Sequence, residues 1–315
     1  MNRKYLLILI ILPFLISACS LSKAETKTSL PGKFVFWSLR EGSSARDWAV
    51  YTLVDGKIKK ISTKIGYPVW SSDGQLIVAE TDRGRLIKIF DLNGNLVKDI
   101  AIKHRPFSYA VFGNKIFYVG VEESSGYVAQ TYISAIDINN NNELEIFKLA
   151  PHEEVFGIYI SHDGKKIMYS TGTSVGDKTV EPYLYAASID GQNIKRLLPQ
   201  ATPVGWYPDN VHVAVQTNVS PDSKRMNYLN GVLAKVNIET GEFQILRPMP
   251  VLSSDTRLSK DGKYIYYPRS GSHGGAGISV LPIDSDKEIQ VTTPSYVNDI
   301  IKYSQDLQPN WYQGE

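Results

Sequence analysis

The sequence contains one short motif that supports nucleophilic catalysis in other folds. Residues Gly172 to Gly176 read GTSVG and match G-x-S-x-G, in which the serine attacks a carbonyl carbon. That chemistry requires a sharp turn between a strand and a helix. Here a further apolar strand, YLYAAS, follows the motif, and no helical period surrounds it. We therefore expect no catalysis by Ser174, and the sequence predicts no catalytic residue elsewhere.

A second group of candidates consists of basic, histidine and tyrosine residues between predicted strands. Imidazoles bind metals, while arginine and tyrosine often anchor protein partners. The histidines are widely separated and lack the spacing of a metal site, so the sequence predicts neither a metal nor a cofactor. The candidates for ligand or partner binding are Arg46, His104, Arg105, Tyr127, His152, Arg225, Tyr228, Arg269 and His273.

The single cysteine is a candidate for covalent modification. Two basic residues precede a 12-residue apolar run, Tyr5 to Ile16, which is shorter than the ~20 residues needed to span a bilayer. Small residues and then Cys19 follow, as at the end of a signal peptide. This arrangement resembles the bacterial lipobox, which implies a signal peptide at 1–18 and membrane attachment through lipid on Cys19. In a Gram-negative cell, Ser20 then implies the outer membrane, facing the periplasm.

The composition limits the class of partner. The chain has 315 residues with 34 Lys and Arg against 32 Asp and Glu, and two of the basic residues lie in the leader. The remainder is electrically balanced, which argues against nucleic acid as a partner. With one cysteine there is no internal disulfide, so stability must come from a packed core. Residues 19–32 are predicted to be the lipidated cysteine and a tether, in which the polar, aperiodic segment 20–31 could reach ~40 Å.

A repeated turn indicates how the candidate residues are positioned. The pattern Ser-x-Asp-Gly occurs at 71–74, 161–164 and 259–262, each time before an apolar strand. Weaker copies lie between them, so that successive turns are 40, 50, 46, 52 and 45 residues apart. A second series of Asp-Gly and Asn-Gly turns, including Asp55-Gly56 and Asn93-Gly94, alternates with the first. Four strands per 40–50 residues are typical of propeller blades.

The blade count predicts a closed ring. The N-terminal region supplies three strands, at 34–38, 48–54 and 57–62, without an innermost strand. The segment Asp299 to Asp306 is predicted to supply that missing strand. The fold class is therefore all-β: a six-bladed β-propeller of four-stranded antiparallel blades at 33–315, closed by one C-terminal and three N-terminal strands. Trp37, Trp48, Trp70 and Trp206 are expected in blade cores, with Trp311 following and locking the closing strand.

The unit P-x-W-S-x-D-G-x-x-I, best seen at Pro68 to Ile77, resembles the repeat of TolB-type six-bladed propellers. The resemblance covers about residues 33–306. It implies an envelope protein and leaves no room for a hydrolase domain after the propeller. Within each blade we letter the strands A to D. The A–B and C–D turns share one face, the turn face, and the B–C loops and D–A links share the other, the loop face. We expect binding at the loop face, on the long segments 39–47, 121–130, 171–182, 217–230 and 269–276.

Three functions remain open from the sequence. The first is a non-catalytic, lipid-anchored and monomeric module of the cell envelope, which binds or scaffolds an envelope protein, a peptidoglycan-associated component or a small ligand. The second, implied by some TolB-like propellers, is a metal-dependent periplasmic sugar-acid lyase using channel histidines such as His104, His152 and His273. The third is a structural propeller without a ligand.

Overall fold

We analysed the chain as a computed structural model, which describes residues 30–40, 48–63, 65–81, 84–124, 127–175, 178–219, 231–250, 255–270, 275–294 and 305–314. These residues form strands and turns and no helix. Accordingly, no helix among them is long and apolar enough to cross a membrane.

The strands are, in chain order, β1 (Lys33–Ser38), β2 (Ala49–Val54), β3 (Lys57–Thr63), β4 (Ile65–Trp70), β5 (Leu76–Thr81), β6 (Leu86–Asp91), β7 (Leu96–Ala101), β8 (Arg105–Phe112), β9 (Lys115–Ser124), β10 (Tyr127–Asp137), β11 (Glu143–Lys148), β12 (Glu153–Ile160), β13 (Lys166–Val175), β14 (Lys178–Ser188), β15 (Lys195–Pro199), β16 (Ala201–Trp206), β17 (His212–Thr217), β18 (Val232–Asn237), β19 (Phe243–Pro248), β20 (Arg257–Leu258), β21 (Tyr264–Ser270), β22 (Ala276–Pro282), β23 (Ile289–Gln290) and β24 (Asp306–Tyr312).

The strands form six four-stranded antiparallel sheets, which confirms the predicted all-β, six-bladed propeller. Blade 1 has the order β24-β1-β2-β3, so one C-terminal strand and three N-terminal strands close the ring. Blades 2 to 6 begin at β4, β8, β12, β16 and β20. The buried apolar residues fall into six clusters, and each cluster lies between two neighbouring blades. Burial between blades is therefore the main source of stability.

The Ser-x-Asp-Gly sequence recurs because it makes a self-contained turn. The Ser71 hydroxyl donates to Asp73 (Oγ–Oδ1 2.6 Å) and accepts from the backbone N–H of Leu76 (2.8 Å). The Asp73 carboxylate also accepts from the Gln75 N–H at 3.0 Å. The same bonds recur in the turns that begin at Ser161 and Ser259.

The glycine of each strong turn packs beneath an aromatic ring of the preceding blade. A Cβ on Gly74 would lie 2.6 Å from the Tyr312 ring, and one on Gly262 would lie 2.8 Å from the Tyr207 ring. Gly164 lies beneath Phe112 in the same way, and a Cβ added to Gly164 would lie 2.5 Å from Cζ of the Phe112 ring. Tyr312 and Phe112 end the A strands of blades 1 and 3, and Tyr207 directly follows that of blade 5. Three of the six blade interfaces therefore use an aromatic-on-glycine contact at the turn face.

The other three blade interfaces have a hydrogen bond, instead of an aromatic contact, at the turn face. The Gly113 N–H donates to Ser72 Oγ (2.9 Å) between blades 3 and 2. The Asp163 N–H donates to Asn210 Oδ1 (3.2 Å), and the Asp261 N–H donates to Gln313 Oε1 (3.0 Å). The two contact types alternate around the ring, so the true repeat is a pair of blades. This explains why the strong Ser-x-Asp-Gly copies occur in alternate blades.

The closing strand lies further along the chain than the sequence predicted. It is β24, Asp306–Tyr312, rather than Asp299 to Asp306, and Trp311 lies within it rather than after it. The Trp311 ring stacks on Phe34 (centroids 5.2 Å apart) and is buried, which confirms its role as a lock. Trp48 lies just before β2 rather than within a strand.

A buried carboxylate holds the start of the closing strand. Asp306 is fully buried and accepts hydrogen bonds from Ser38 (Oγ–Oδ1 2.5 Å) and from Thr292 (Oγ1–Oδ2 2.6 Å). Arg40 pairs with both carboxylate oxygens, through Nε (3.0 Å) and Nη2. Thr292 also accepts from the Ile278 N–H of blade 6 at 2.8 Å. One carboxylate therefore joins blade 6, blade 1 and the C-terminal strand.

Two long segments predicted to be irregular loops are largely extended hairpins. Strands β9 and β10 continue through most of 121–130, and β13 and β14 through most of 171–182. Arg269 lies in β21 rather than in a loop. The backbone of Ser174 lies in β13, and another strand follows, so the strand-to-helix turn of a nucleophile elbow is not present there.

Candidate functional site

The A strands of all six blades line a central cavity of about 620 Å³, which we call the channel cavity. Its volume is in the range of small-molecule and cofactor sites. The lining extends to the A–B turns, where Ser72, His162 and Lys260 contribute. The cavity therefore reaches the turn face, whereas the sequence analysis placed binding at the loop face.

A β-bulge interrupts pairing in five of the six A strands. The bulged residues of blades 2, 3 and 4 are Tyr67, Phe107 and Phe156, and all three line the cavity. These aromatics are 41%, 45% and 45% exposed, although most large apolar residues of the chain are buried. Bulges re-aim side chains and are frequent near functional sites. Three adjacent blades thus present aromatic surface to the cavity.

Two bulges hold non-glycine residues in the left-handed region. Tyr67 has φ 52° and Gln308 has φ 50°, and each precedes a proline. This conformation costs an L-residue roughly 1–2 kcal/mol. The hydroxyl of Tyr109, from the next blade, donates to the Tyr67 carbonyl oxygen and helps to hold this bulge. Such local strain is often kept at binding sites.

An aromatic stack leads away from Tyr67. Its ring stacks on Trp37 with centroids 5.6 Å apart, and Trp37 contacts Trp48 at 4.3 Å. Because Trp37 and Trp48 flank the first B–C loop, the stack joins the channel cavity to the loop face. Packing on Trp37 fixes the position of the Tyr67 ring.

Blade 6 gives the cavity its charge. Arg257 lies on its A strand and Asp255 just before that strand, and both line the cavity. The Arg257 guanidinium lies 4.7 Å from the centroid of the Tyr159 ring. Burial lowers the pKa of Arg257, and the neighbouring Tyr266 hydroxyl partly offsets this. Burial also raises the pKa of Asp255, while a hydrogen bond from the Gln308 backbone lowers it.

The predicted candidate His104 is packed in blade 3 and does not line the cavity. It is 2% exposed, and its ring stacks on Tyr132 with centroids 4.0 Å apart. Nδ1 lies 3.3 Å from Glu122 Oε1. Burial lowers the pKa of His104 and outweighs the opposing effect of Glu122. These contacts fit a structural side chain better than a ligand-binding one.

The other described candidates are spread over the blades and make local contacts. Arg105 pairs with Glu123 (Nη2–Oε1 2.5 Å), and Arg269 pairs with Glu288. His152 has a positive φ and its Nδ1 lies 3.2 Å from the Val128 carbonyl oxygen. The backbone of Tyr127 begins β10. Five further candidates fall outside the described residues: Cys19, Arg46, Arg225, Tyr228 and His273.

The described part of the chain contains no group of three or more His, Cys, Asp or Glu residues arranged to hold a metal ion. His104 and His152, two histidines considered for a metal-dependent reaction, instead contact Glu122 and the Val128 carbonyl oxygen. The geometry of the described residues therefore fits a binding cavity with aromatic walls and one arginine.

The sequence analysis missed the residues that line the cavity. Tyr67 carried one usable signal, because it precedes a proline in the innermost strand of a predicted blade. Gln308 also precedes a proline, but it lies beyond the predicted closing strand. Phe107 and Phe156 carried none, since a single bulge changes which side chains face inward without leaving a mark in the apolar pattern. Asp255 and Arg257 lie beside the third Ser-x-Asp-Gly turn and could have been placed on the channel by counting back from Ser259.

Solved structures share this fold. TolB from Acinetobacter baumannii superposes with a TM-score of 0.63 at 17% identity, covering 89% of this chain and 66% of that protein. A putative TolB from Agrobacterium tumefaciens gives 0.54 at 13% identity, covering 90% and 99%. Oligogalacturonate lyase in complex with manganese gives 0.52 at 13% identity, covering 77% and 70%.

No protein-family model matches the chain, and no curated protein matches its sequence. The structural similarities, all below 20% identity, establish the fold: the chain is a TolB-like six-bladed β-propeller.

Proposed function

We propose that this protein is a non-catalytic binding module of a bacterial cell envelope, anchored to a membrane through lipid on Cys19. Its ligand or partner binds in the channel cavity, from the turn face. Envelope proteins and peptidoglycan-associated components are the partner classes that such a location offers. The similarity to TolB structures supports the propeller as a binding scaffold, and the leader and lone cysteine support the anchor.

The exposed aromatic triad Tyr67, Phe107 and Phe156 is the observation that carries this proposal. Each ring faces a concave space on a bulged strand, where it could be covered by a partner. Aromatic residues in such positions often supply most of the binding free energy of an interface. A purely structural propeller would gain stability by turning these side chains into the blade interfaces.

Replacing Phe107 and Phe156 together with alanine is expected to abolish capture of the partner. Truncating a hot-spot residue typically costs ~2 kcal/mol or more, so the double change should weaken binding by well over tenfold. The measurement is affinity capture of the tagged, lipidated protein from its native envelope in mild detergent, quantified by mass spectrometry.

The matched control is Leu144→Ala, because Leu144 is 66% exposed on outer strand β11, away from the channel. Its capture profile should equal that of the wild type. If the double variant keeps a near-stoichiometric partner and an unchanged melting curve, the channel cavity is not the binding site.

Replacing Cys19 with alanine is expected to move nearly all of the protein from the membrane fraction to a soluble or uncleaved form. Lipid on the cysteine supplies the attachment, since a 12-residue apolar leader cannot span a bilayer. Fractionation with carbonate washing and intact-mass analysis checks this. Continued membrane attachment of a cleaved Cys19→Ala protein would refute the anchor.

The fold similarity to oligogalacturonate lyase favours the alternative function, a metal-dependent lyase. Among the described residues there is no group of three or more His, Cys, Asp or Glu residues that could hold its metal. Elemental analysis of the captured protein would revive it if a stoichiometric divalent metal were present.

A further inference from the structure

Arg257 is the most unusual charged group of the channel cavity. It lies on the two-residue strand β20, whose partners in β21 are Tyr266 and Ile265. The Tyr159 ring covers one side of its guanidinium at 4.7 Å. The Tyr266 hydroxyl lies close enough to affect its pKa. Protein therefore surrounds the group, and only its cavity side remains open.

No acid neutralises this arginine among the residues that the structure describes. The ion pairs found there involve other arginines, such as Arg40 with Asp306 and Arg247 with Asp286. No described acceptor takes a hydrogen bond from the Arg257 guanidinium either. Arginine stays charged at neutral pH even when burial lowers its pKa, and it carries five N–H donors. A charge enclosed without a partner costs stability, so its presence calls for a ligand.

We propose that Arg257 is the anchor of a carboxylate subsite in the channel cavity, which takes a ligand bearing one carboxylate next to an apolar or aromatic group. The inference rests on the proposed function, because it names the chemistry recognised at that same cavity. A guanidinium and a carboxylate match as two parallel N–H···O hydrogen bonds. The C-terminal residue of a peptide and a small aromatic acid both offer this chemistry.

The surroundings of Arg257 select for that ligand class. The aromatic surface comes from Tyr67, Phe107 and Phe156 on blades 2 to 4, and the Arg257 guanidinium of blade 6 reaches the Tyr159 ring of blade 4. An amphiphilic ligand can therefore place its carboxylate on Arg257 and its apolar part on the neighbouring aromatic surface. Asp255, two positions before Arg257 in the sequence, also lines the cavity.

The test compares two short peptides that end in phenylalanine, one with a free C-terminal carboxylate and one with a C-terminal amide. Binding to the folded, full-length protein is measured by isothermal titration. A hydrogen-bonded charge contributes enough for the wild type to prefer the carboxylate about 10- to 100-fold. Phenylacetate and phenylacetamide form a second pair, which separates a small acid from a peptide C-terminus as the source of the carboxylate.

The variant Arg257→Gln should bind both members of each pair equally. Lys260→Gln is the matched control: Lys260 also lines the cavity, but its side chain is exposed at the turn face, and the preference should persist. Phe156→Ala should weaken both peptides alike, because the aromatic wall does not distinguish them.

Stability provides a readout that separates ligand binding from a structural role. Because the charge of Arg257 has no acidic partner among the described residues, Arg257→Gln should raise the thermal midpoint of the ligand-free protein or leave it unchanged. A structural arginine would lower the midpoint when replaced. Arg257→Lys keeps the charge without the planar fork and should retain only part of the preference.

Three results would overturn the subsite: equal binding of carboxylate and amide by the wild type, a preference that survives Arg257→Gln, or no binding of either pair at millimolar concentration. If envelope capture still requires Phe107 and Phe156 in any of these cases, the channel remains the binding site and only the carboxylate assignment fails. If capture does not require them, the proposed function fails as well.

Discussion

Replacing Asp306 with alanine is expected to lower the free energy of unfolding by about 3–5 kcal/mol, the usual cost of breaking a buried, hydrogen-bonded ion pair. The carboxylate is fully buried and accepts from Ser38, Thr292 and Arg40 at the start of the closing strand. Its loss leaves a charged guanidinium and two hydroxyls without their acceptor. The propeller should then unfold at clearly lower urea concentration, followed by tryptophan fluorescence.

The control for this experiment is Asp286→Ala. Asp286 pairs with Arg247 at 2.7 Å, but its side chain is 99% exposed, and exposed pairs contribute little. We expect almost no change in the urea midpoint. If both variants behave alike, the Asp306 cluster does not hold the ring closed, and the closure must depend on the β1–β24 pairing and the apolar contacts of Trp311.

Replacing Gly164 with alanine is expected to cost about 2–4 kcal/mol, from a left-handed residue and from overpacking of an aromatic contact. Gly164 has φ +70°, and an added Cβ would overlap the Phe112 ring of the neighbouring blade. The ring must move towards the channel or the turn must shift. Equilibrium unfolding of the purified variant measures the cost.

Gly113→Ala separates the two causes. Gly113 also has a positive φ, +57°, in an A–B turn, but a Cβ there would meet nothing within 4 Å. It should show the backbone cost alone, about 1–2 kcal/mol. Equal losses in the two variants would mean that the aromatic-on-glycine contact does not stabilise the blade interfaces, and that the alternation of contacts around the ring has no energetic basis.

Turn chemistry explains why the fold could be predicted from the sequence. Each Ser-x-Asp-Gly turn is stabilised by its own hydrogen bonds, so residues such as Ser71 and Asp73 mark blades without any tertiary information. The closing strand was placed too early in the sequence. It contains Pro309, which an innermost strand tolerates because one of its edges has no ladder partner.

The site was harder to predict because it depends on contacts between blades. The inward direction of Phe107 and Phe156 follows from bulges, and the open position of Tyr67 depends on Tyr109 and Trp37 from neighbouring blades. Arg257 differs from several other arginines of the chain in having no ion pair with a described carboxylate. The contacts between blades that hold these side chains do not follow from the turn pattern. Histidines and loop arginines were visible in the sequence, but those that the structure describes make local contacts.

The most direct test of the account is site-specific photo-crosslinking in the native envelope. A photoreactive phenylalanine analogue is placed at position 156, in the channel cavity, and separately at position 144, on outer strand β11. Binding in the channel predicts one dominant covalent product from position 156 and none above background from position 144. A partner that crosslinks only from position 144, or equally from both, would contradict the channel as the binding site.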